Sequence, residues 1–192
     1  MCERQTLLYP LDLFYAEAGL PLPSFSRVAG EEVPEPYRRL LVHTNDMTPT
    51  LEAFHREKIH LRLVRRHIEG DAYCRQVILT TDESERPVEF GAIVIHTQHF
   101  PPAAREQILG GYTPLGTILA EHGVRHESCP QGFFQVMSDA EMNRALGLAA
   151  PGQEKSWVLY GRRNLLLAPE GWRLAEVLEI LPPERGIGSG EV

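Results

Sequence analysis

Two charged residues stand inside segments that are otherwise apolar, and the first is Arg75. It lies in the segment 72–81, whose alternating residue types predict a β-strand with Tyr73, Val77 and Leu79 on the same face. A guanidinium group that points into a core needs a negatively charged partner, because an unpaired buried charge is costly. That partner is either a carboxylate of the chain or a carboxylate of a ligand, and the sequence favours neither.

The second charged residue is Glu179, which lies in the apolar segment 177–181 near the end of the chain. A carboxyl group in such a strand is either paired with a cation or held protonated by burial. The protonated form can donate a hydrogen bond to a ligand hydroxyl group. Arg75 and Glu179 are therefore the candidate residues of a buried site.

The other residues that carry chemistry form weaker patterns. His96 and His99 are three positions apart, but without an HExxH motif or a regular carboxylate partner they predict no metal site. The cysteines at positions 2, 74 and 129 are odd in number and have no CxxC spacing, which favours free thiols in a reducing cytoplasm. We therefore expect no metal site at these residues.

The composition is that of an ordinary globular domain. The chain has 192 residues, of which 43% are hydrophobic, and this suits a single core. Its formal net charge of −7 argues against nucleic-acid binding, which requires Lys and Arg to neutralise phosphates. No segment reaches the roughly 18 apolar residues that span a bilayer, and the N-terminus lacks a signal-peptide pattern. These features predict a soluble cytoplasmic protein and leave its oligomeric state open, with a monomer as one option.

The order of the predicted elements indicates an α+β fold. Residues 1–35 are predicted to form an N-terminal arm, and the Gly-rich tail 184–192 is predicted to be flexible. The segments with the pattern of a β-strand are 59–68, 72–81, 88–97, 124–137, 157–167 and 172–181. Helical segments cluster between groups of strands instead of alternating with them, which favours an antiparallel sheet. The prediction is a single domain, residues 1–192, with about six strands.

Four short motifs carry a resemblance to a known family. They are NDMT at 45–48, CRQVIL at 74–79, TPLG at 113–116, and YGRR at 160–163 followed by LEILP at 178–182. Through them the segment 41–183 resembles the chorismate pyruvate-lyase family, whose members cleave chorismate to 4-hydroxybenzoate and pyruvate. The resemblance implies a carbon–oxygen lyase with a role like that of the family in ubiquinone biosynthesis.

The resemblance also implies a fold and a site. The chorismate lyase-like fold is an antiparallel sheet of six strands with helices packed on one side, and the ligand lies beneath helical flaps. By this resemblance Met47, Leu115 and Gly116 contact the ligand, Arg75 binds the ring carboxylate, and Glu179 contacts the ring hydroxyl. Arg75 and Glu179 are the implied catalytic residues, which orient chorismate and assist proton placement at its ether oxygen. Loss of pyruvate makes the ring aromatic, so the reaction needs no metal or redox cofactor.

Three points stay open in the sequence. The spacing between Arg163 and Glu179 is slightly long, so Glu176 is a rival for the role of pocket carboxylate. Either Arg162 or Arg163 reaches the pyruvate carboxylate, or these arginines form structural salt bridges. The segment 124–153 is longer than the family pattern and differently composed, which bears on substrate identity more than on the fold.

A function of another class fits the same motifs. Effector domains of some transcription regulators share this fold and bind small metabolites without turnover. The acidic composition and the lack of a helix-turn-helix segment argue against such a domain, whereas its pocket motifs would look similar. A lyase for a related enol-ether carboxylate is a third alternative. The main prediction is the lyase, with chorismate as its small-molecule partner.

Overall fold

Backbone hydrogen bonds organise the chain into one sheet flanked by helices. The computed structural model describes residues 6–148 and 155–184. Within them the β-strands are β1 (Phe25–Val28), β2 (Ile59–Glu69), β3 (Ala72–Thr81), β4 (Pro87–His96), β5 (Glu127–Met137), β6 (Val158–Leu167) and β7 (Arg173–Leu181). The α-helices are α1 (Leu11–Glu17), α2 (Tyr37–Leu41), α3 (Met47–His55), α4 (Pro102–Gly110), α5 (Leu115–Glu121) and α6 (Ala140–Leu146), and two short 3-10 helices span Gly30–Glu32 and Thr97–His99.

The strands form a single antiparallel sheet in the order β1-β5-β6-β7-β4-β3-β2. This confirms the predicted α+β class and the chorismate lyase-like fold. The described residues contain seven strands, one more than the six segments predicted. The added strand is β1, which pairs with β5 from Phe25 opposite Val136 to Val28 opposite Phe133. Since β1 is only four residues long and mostly exposed, its sequence carries no alternation that would indicate a strand.

The strand register aligns residues of four adjacent strands on one face of the sheet. Arg75 of β3 lies opposite Ile93 of β4, which lies opposite Val177 of β7. Val177 in turn lies opposite Asn164 of β6. Because side chains of a strand alternate between the two faces, these four residues point to the same side. We call it the pocket face.

Helices cover both faces of the sheet. On the pocket face, Leu51 of α3 and Ile118 of α5 belong to core clusters that also include residues of β3 and β4. On the opposite face, Phe14 of α1 and Leu146 of α6 belong to a third cluster. The prediction that the helices pack on one side therefore does not hold for α1 and α6. These two helices bury the apolar residues of the second face of the sheet.

Helices α3 and α5 lie side by side above the pocket face. Pro114 directly precedes α5, a place where the missing N–H of proline costs little. A Cβ atom added at Gly116 would lie 3.1 Å from Oγ1 of Thr48 in α3. The absence of a side chain at Gly116 thus allows the two helices to approach each other closely.

Some expectations fall partly on residues that the structure does not describe. Apart from Glu184, the tail predicted to be flexible lies outside the described residues, as do residues 149–154 and the cysteine at position 2. The described part of the segment 124–153 forms β5 and α6. Cys74 and Cys129 are free thiols. None of the described helices is long and apolar enough to cross a membrane.

Candidate functional site

A pocket lies between the pocket face of the sheet and helices α3 and α5. It has about 580 Å³ of empty space, its opening to solvent included. The five residues that the sequence predicts as site residues all line it, namely Met47, Arg75, Leu115, Gly116 and Glu179. A largely apolar pocket with a few convergent polar groups is the usual form of a small-molecule site.

Arg75 is the positive charge in the floor of the pocket. Its side chain is only 1% exposed, and its Nη2 donates a hydrogen bond to the carbonyl oxygen of Thr113 at 3.1 Å. Among the described residues, its Nε and Nη1 have no hydrogen-bond partner, and no carboxylate lies within ion-pair distance. Burial lowers the pKa of Arg75 to about 10, so the guanidinium remains charged at neutral pH. The internal carboxylate that the sequence left open as a partner is thus absent from the described residues.

Glu179 lines the pocket, but its carboxylate is already engaged. It forms a buried ion pair with Arg162, which lies directly opposite on β6. Arg162 also donates hydrogen bonds to the carbonyl oxygens of Leu41, His43 and Asn45, at 3.2, 3.0 and 3.3 Å. These contacts fix the segment between α2 and α3 over the sheet. Glu179 therefore acts in the fold as the partner of a structural arginine.

The rival carboxylate Glu176 lies outside the pocket. It is an odd number of residues from Glu179 on β7 and so points to the opposite face of the sheet. There it contacts Arg163 at 2.7 Å and Arg173 at 3.3 Å. Of the two alternatives in the sequence, Glu179 is the one in the pocket wall. Arg162 and Arg163 both form salt bridges within the chain.

Glu89 of β4 is a pocket residue that the sequence analysis missed. It is 4% exposed, it lines the pocket, and its Oε2 has no hydrogen-bond partner among the described residues. Burial raises the pKa of this carboxyl group well above its usual value, and the nearby charge of Glu179 raises it further. Arg162 opposes this shift but does not cancel it. Glu89 stands between the apolar residues Val88 and Phe90, as Glu179 stands among apolar residues of its strand. The same pattern in the sequence could therefore have predicted Glu89 as a buried site residue.

Asn164 of β6 is the second missed pocket residue. Its Nδ2 donates to Oγ of Ser128 at 2.8 Å, whereas its Oδ1 is buried without a partner in the described part of the chain. Asn164 lies at the end of the row that begins with Arg75. It therefore offers a hydrogen-bond acceptor to a ligand on the side of the pocket away from β3.

A pair of residues from distant parts of the chain lies at the rim of the pocket. Asp46, which precedes α3 and lines the pocket, contacts Nε2 of His126 at 2.9 Å. Burial by itself lowers the pKa of His126. The hydrogen bonds to the carbonyl of Val124 and to Asp46 outweigh burial, so that the pKa is raised above its ordinary value. The pair ties the start of α3 to the segment before β5.

The described residues contain no group of three or more His, Cys, Asp or Glu side chains that could hold a metal ion. His96 ends β4, and His99 stacks on Trp172 with 5.5 Å between the ring centroids. The groups in the pocket that can meet a ligand are instead a cation at Arg75, a carboxyl group at Glu89 and an amide oxygen at Asn164.

Comparison with known proteins gives a fold and no family. No protein-family model matches the chain, and no curated protein is significantly similar to it. The solved structure of PhnF from Mycobacterium smegmatis matches with a TM-score of 0.53 at 12% identity, over 91% of this chain and 94% of that chain. The effector domain of PhnF from the same species gives 0.52 at 14% identity, over 73% and 90%. The ligand-binding domain of a GntR-family transcriptional regulator from Bordetella bronchiseptica gives 0.45 at 14% identity, over 66% and 86%.

These structures correct the expectation that the chain is a carbon–oxygen lyase. The chain has the fold of PhnF and of its effector domain, which is not an enzyme. The geometry of the pocket agrees with the correction. The carboxylate of Glu179, which the lyase prediction uses for proton placement, is held in an ion pair with Arg162. The comparisons therefore support the fold that the resemblance implies, and they give no support to the lyase activity.

Proposed function

We propose that this chain is a non-catalytic domain that senses a small metabolite, a carboxylate with an aromatic or cyclic body. The ligand occupies the pocket beneath α3 and α5, and its carboxylate binds Arg75. The observation that carries the proposal is the buried guanidinium of Arg75, which has two nitrogen positions without a partner in the described residues.

A ligand carboxylate supplies the negative charge and the hydrogen-bond acceptors that Arg75 lacks among the described residues. Taking a guanidinium out of water costs several kcal/mol unless an anion compensates it. A carboxylate accepts two parallel hydrogen bonds from one edge of the guanidinium, which joins Nη2 with either Nε or Nη1, and it supplies the negative charge as well. The buried position of Arg75 strengthens this interaction, since little water competes for the same donors.

The rest of the pocket fits the body of such a ligand. Its walls include Val77, Ile93, Leu115, Leu119 and Leu166, all of them apolar. Contact with these side chains removes the faces of a ring from water, at about 25 cal/mol for each Å² of apolar surface buried. A sugar or a peptide would leave polar groups unpaired against such walls, so an aromatic or cyclic carboxylate fits better.

Titration calorimetry tests the proposal directly. Benzoate, 4-hydroxybenzoate and chorismate are the first ligands to measure, and we expect at least one to bind with a 1:1 stoichiometry. Arg75→Ala should weaken that binding strongly. The matched control is Arg62→Ala, because Arg62 is an exposed arginine on β2 that lies opposite Ile78 and so belongs to the other face. Equal affinity in the Arg75→Ala variant and the wild type would contradict the proposal.

A turnover assay separates sensing from catalysis. Chorismate incubated with the purified protein should remain unchanged beyond its spontaneous decay. The measurement is the appearance of pyruvate and 4-hydroxybenzoate against a sample without protein. Multiple turnovers that depend on the protein would show that the pocket is catalytic.

A further inference from the structure

Glu89 is a buried carboxyl group that no ion pair in the fold explains. It has no salt bridge among the described residues, and Arg162, whose charge acts on it, is already bound to Glu179. Buried polar groups are almost always satisfied, so an unpartnered Oε2 in a pocket wall requires a reason. A hydrogen-bonding group of the ligand supplies one.

The side chain of Glu89 folds over Gly91, its neighbour two residues along β4. A Cβ atom added at Gly91 would lie only 2.9 Å from Oε1 of Glu89. The carboxyl group thus occupies the space that a side chain at position 91 would fill, between Val77 of β3 and Glu179 of β7. It lies in the floor of the pocket and is directed into it.

Arg75 and the Glu89 carboxyl group lie at separate places in this floor. Arg75 is opposite Ile93, and Gly91 is two residues further along β4. Two residues of a strand span about 7 Å, so the two groups belong to different rows of side chains in the pocket floor. One ring can bridge the two groups, with its carboxylate at Arg75 and a substituent at Glu89.

The charges in the pocket wall decide what that substituent is. Arg162 and Glu179 neutralise each other in their ion pair, which leaves Arg75 as the cation for the ligand. Burial and the negative charge of Glu179 both raise the pKa of Glu89 and so favour its protonated form. With Glu89 neutral, the buried wall carries one net positive charge. The rim adds Asp46, which is paired with His126.

We propose that Glu89 determines the specificity of the pocket by donating a hydrogen bond to a neutral oxygen of the ligand across the ring from its carboxylate. The ligand is thus a monocarboxylate with a hydroxyl, ether or carbonyl oxygen at that position. A second carboxylate is rejected because it would meet Glu179 in a buried site. This inference rests on the proposed function, since it assigns Arg75 to the ligand carboxylate.

The test compares three ligands with three proteins by titration calorimetry. The ligands are benzoate, 4-hydroxybenzoate and terephthalate, and the proteins are wild type, Glu89→Gln and Glu89→Leu. Wild type should bind 4-hydroxybenzoate about three- to tenfold more tightly than benzoate, as expected for one neutral hydrogen bond. It should bind terephthalate more weakly than benzoate. Glu89→Gln keeps a neutral donor and should keep the preference, whereas Glu89→Leu should reduce the ratio to about one.

The outcomes separate this inference from the function on which it rests. Binding of benzoate that depends on Arg75, together with an unchanged ratio in Glu89→Leu, would overturn the role of Glu89 alone. No binding of either monocarboxylate to the wild type would overturn both. If Glu89→Leu does not fold, Glu89→Gln still decides through infrared difference spectroscopy of the ligand-free protein. A protonated carboxyl band at about pH 7 should be present in the wild type and absent in Glu89→Gln, and its absence from the wild type would refute a neutral Glu89.

Discussion

Arg75 and Arg162 are both fully buried on the same face of the sheet, yet only Arg162 has a carboxylate partner among the described residues. Arg162 is bound by Glu179 and by three backbone carbonyl groups, which is the environment of a structural arginine. Arg75 has one carbonyl partner and faces the pocket. Substitutions of Arg162 therefore test the stability of this domain, and substitutions of Arg75 test its ligand binding.

The first prediction is that Arg75→Ala lowers ligand affinity without lowering stability. Loss of a charge-assisted bidentate contact of about 1.5–3 kcal/mol weakens binding about ten- to hundredfold. The free energy of unfolding should stay the same or increase, because the substitution removes a buried charge that has no internal partner. Calorimetry and urea denaturation measure the two quantities. Arg75→Lys should not restore affinity, since an ammonium group cannot reproduce the planar fork. A large loss of stability with unchanged affinity would mean that Arg75 is structural.

The second prediction is that Arg162→Met lowers the free energy of unfolding by about 3–5 kcal/mol. The substitution leaves the Glu179 carboxylate buried without its counter-charge, and it leaves the carbonyl groups of Leu41, His43 and Asn45 without their donor. Urea denaturation at about pH 7 measures the effect.

A double variant provides the control for Arg162. Arg162→Met combined with Glu179→Leu removes both charges and should recover part of the lost stability, because an apolar pair of similar volume can replace a buried ion pair. A double variant less stable than Arg162→Met alone would contradict the assignment of these two residues as partners.

Arg75 and Glu179 could be located from the sequence because strand alternation assigns each residue to a face. Arg75 shares its face with Tyr73 and Val77 whatever the pairing of the strands. The pairing of Glu179 with Arg162 could not be predicted in the same way, because it depends on the register between β6 and β7. A charged residue in an apolar strand therefore marks a buried site, but its sequence does not say whether a residue of the chain or a ligand is the partner.

The strand β1 and the helices of the second face show a related limit. The four residues of β1 form a strand because they pair with β5, and their sequence shows no apolar alternation. Helices α1 and α6 have apolar residues suitable for packing, but nothing local indicates which face of the sheet they cover. Both properties depend on contacts between segments that are far apart in the chain.

The third prediction concerns the pH dependence of stability through His126. Its pKa is raised in the folded protein above the ordinary value of about 6.5. The stabilisation from the charged pair with Asp46 is therefore fully present below about pH 6.5, and it is lost as the pH rises through the raised pKa. Wild type should lose its stability advantage over His126→Gln as the pH rises above about 6.5. Urea midpoints across this range measure it.

Asp46→Asn is the control for this pH dependence. The variant removes the carboxylate that favours the charged imidazole. The difference in stability between Asp46→Asn and the double variant Asp46→Asn/His126→Gln should therefore depend less on pH. If the wild-type advantage over His126→Gln instead grows as the pH rises, the pKa of His126 is not raised and the interpretation of the rim pair is wrong.

The last prediction is that Gly91→Ala disrupts the ligand site while leaving the sheet intact. The added Cβ would lie 2.9 Å from Oε1 of Glu89 and 3.3 Å from the carbonyl oxygen of Leu178. The Glu89 carboxyl group is the more movable of the two, so it must leave its position in the pocket floor. Calorimetry should show weaker binding of 4-hydroxybenzoate, with a loss of its advantage over benzoate. Gly110→Ala is the matched control, because its added Cβ would meet nothing nearer than an atom of Tyr112 at 4.0 Å. Unchanged ligand preference in Gly91→Ala would show that the position of Glu89 over Gly91 does not matter for binding.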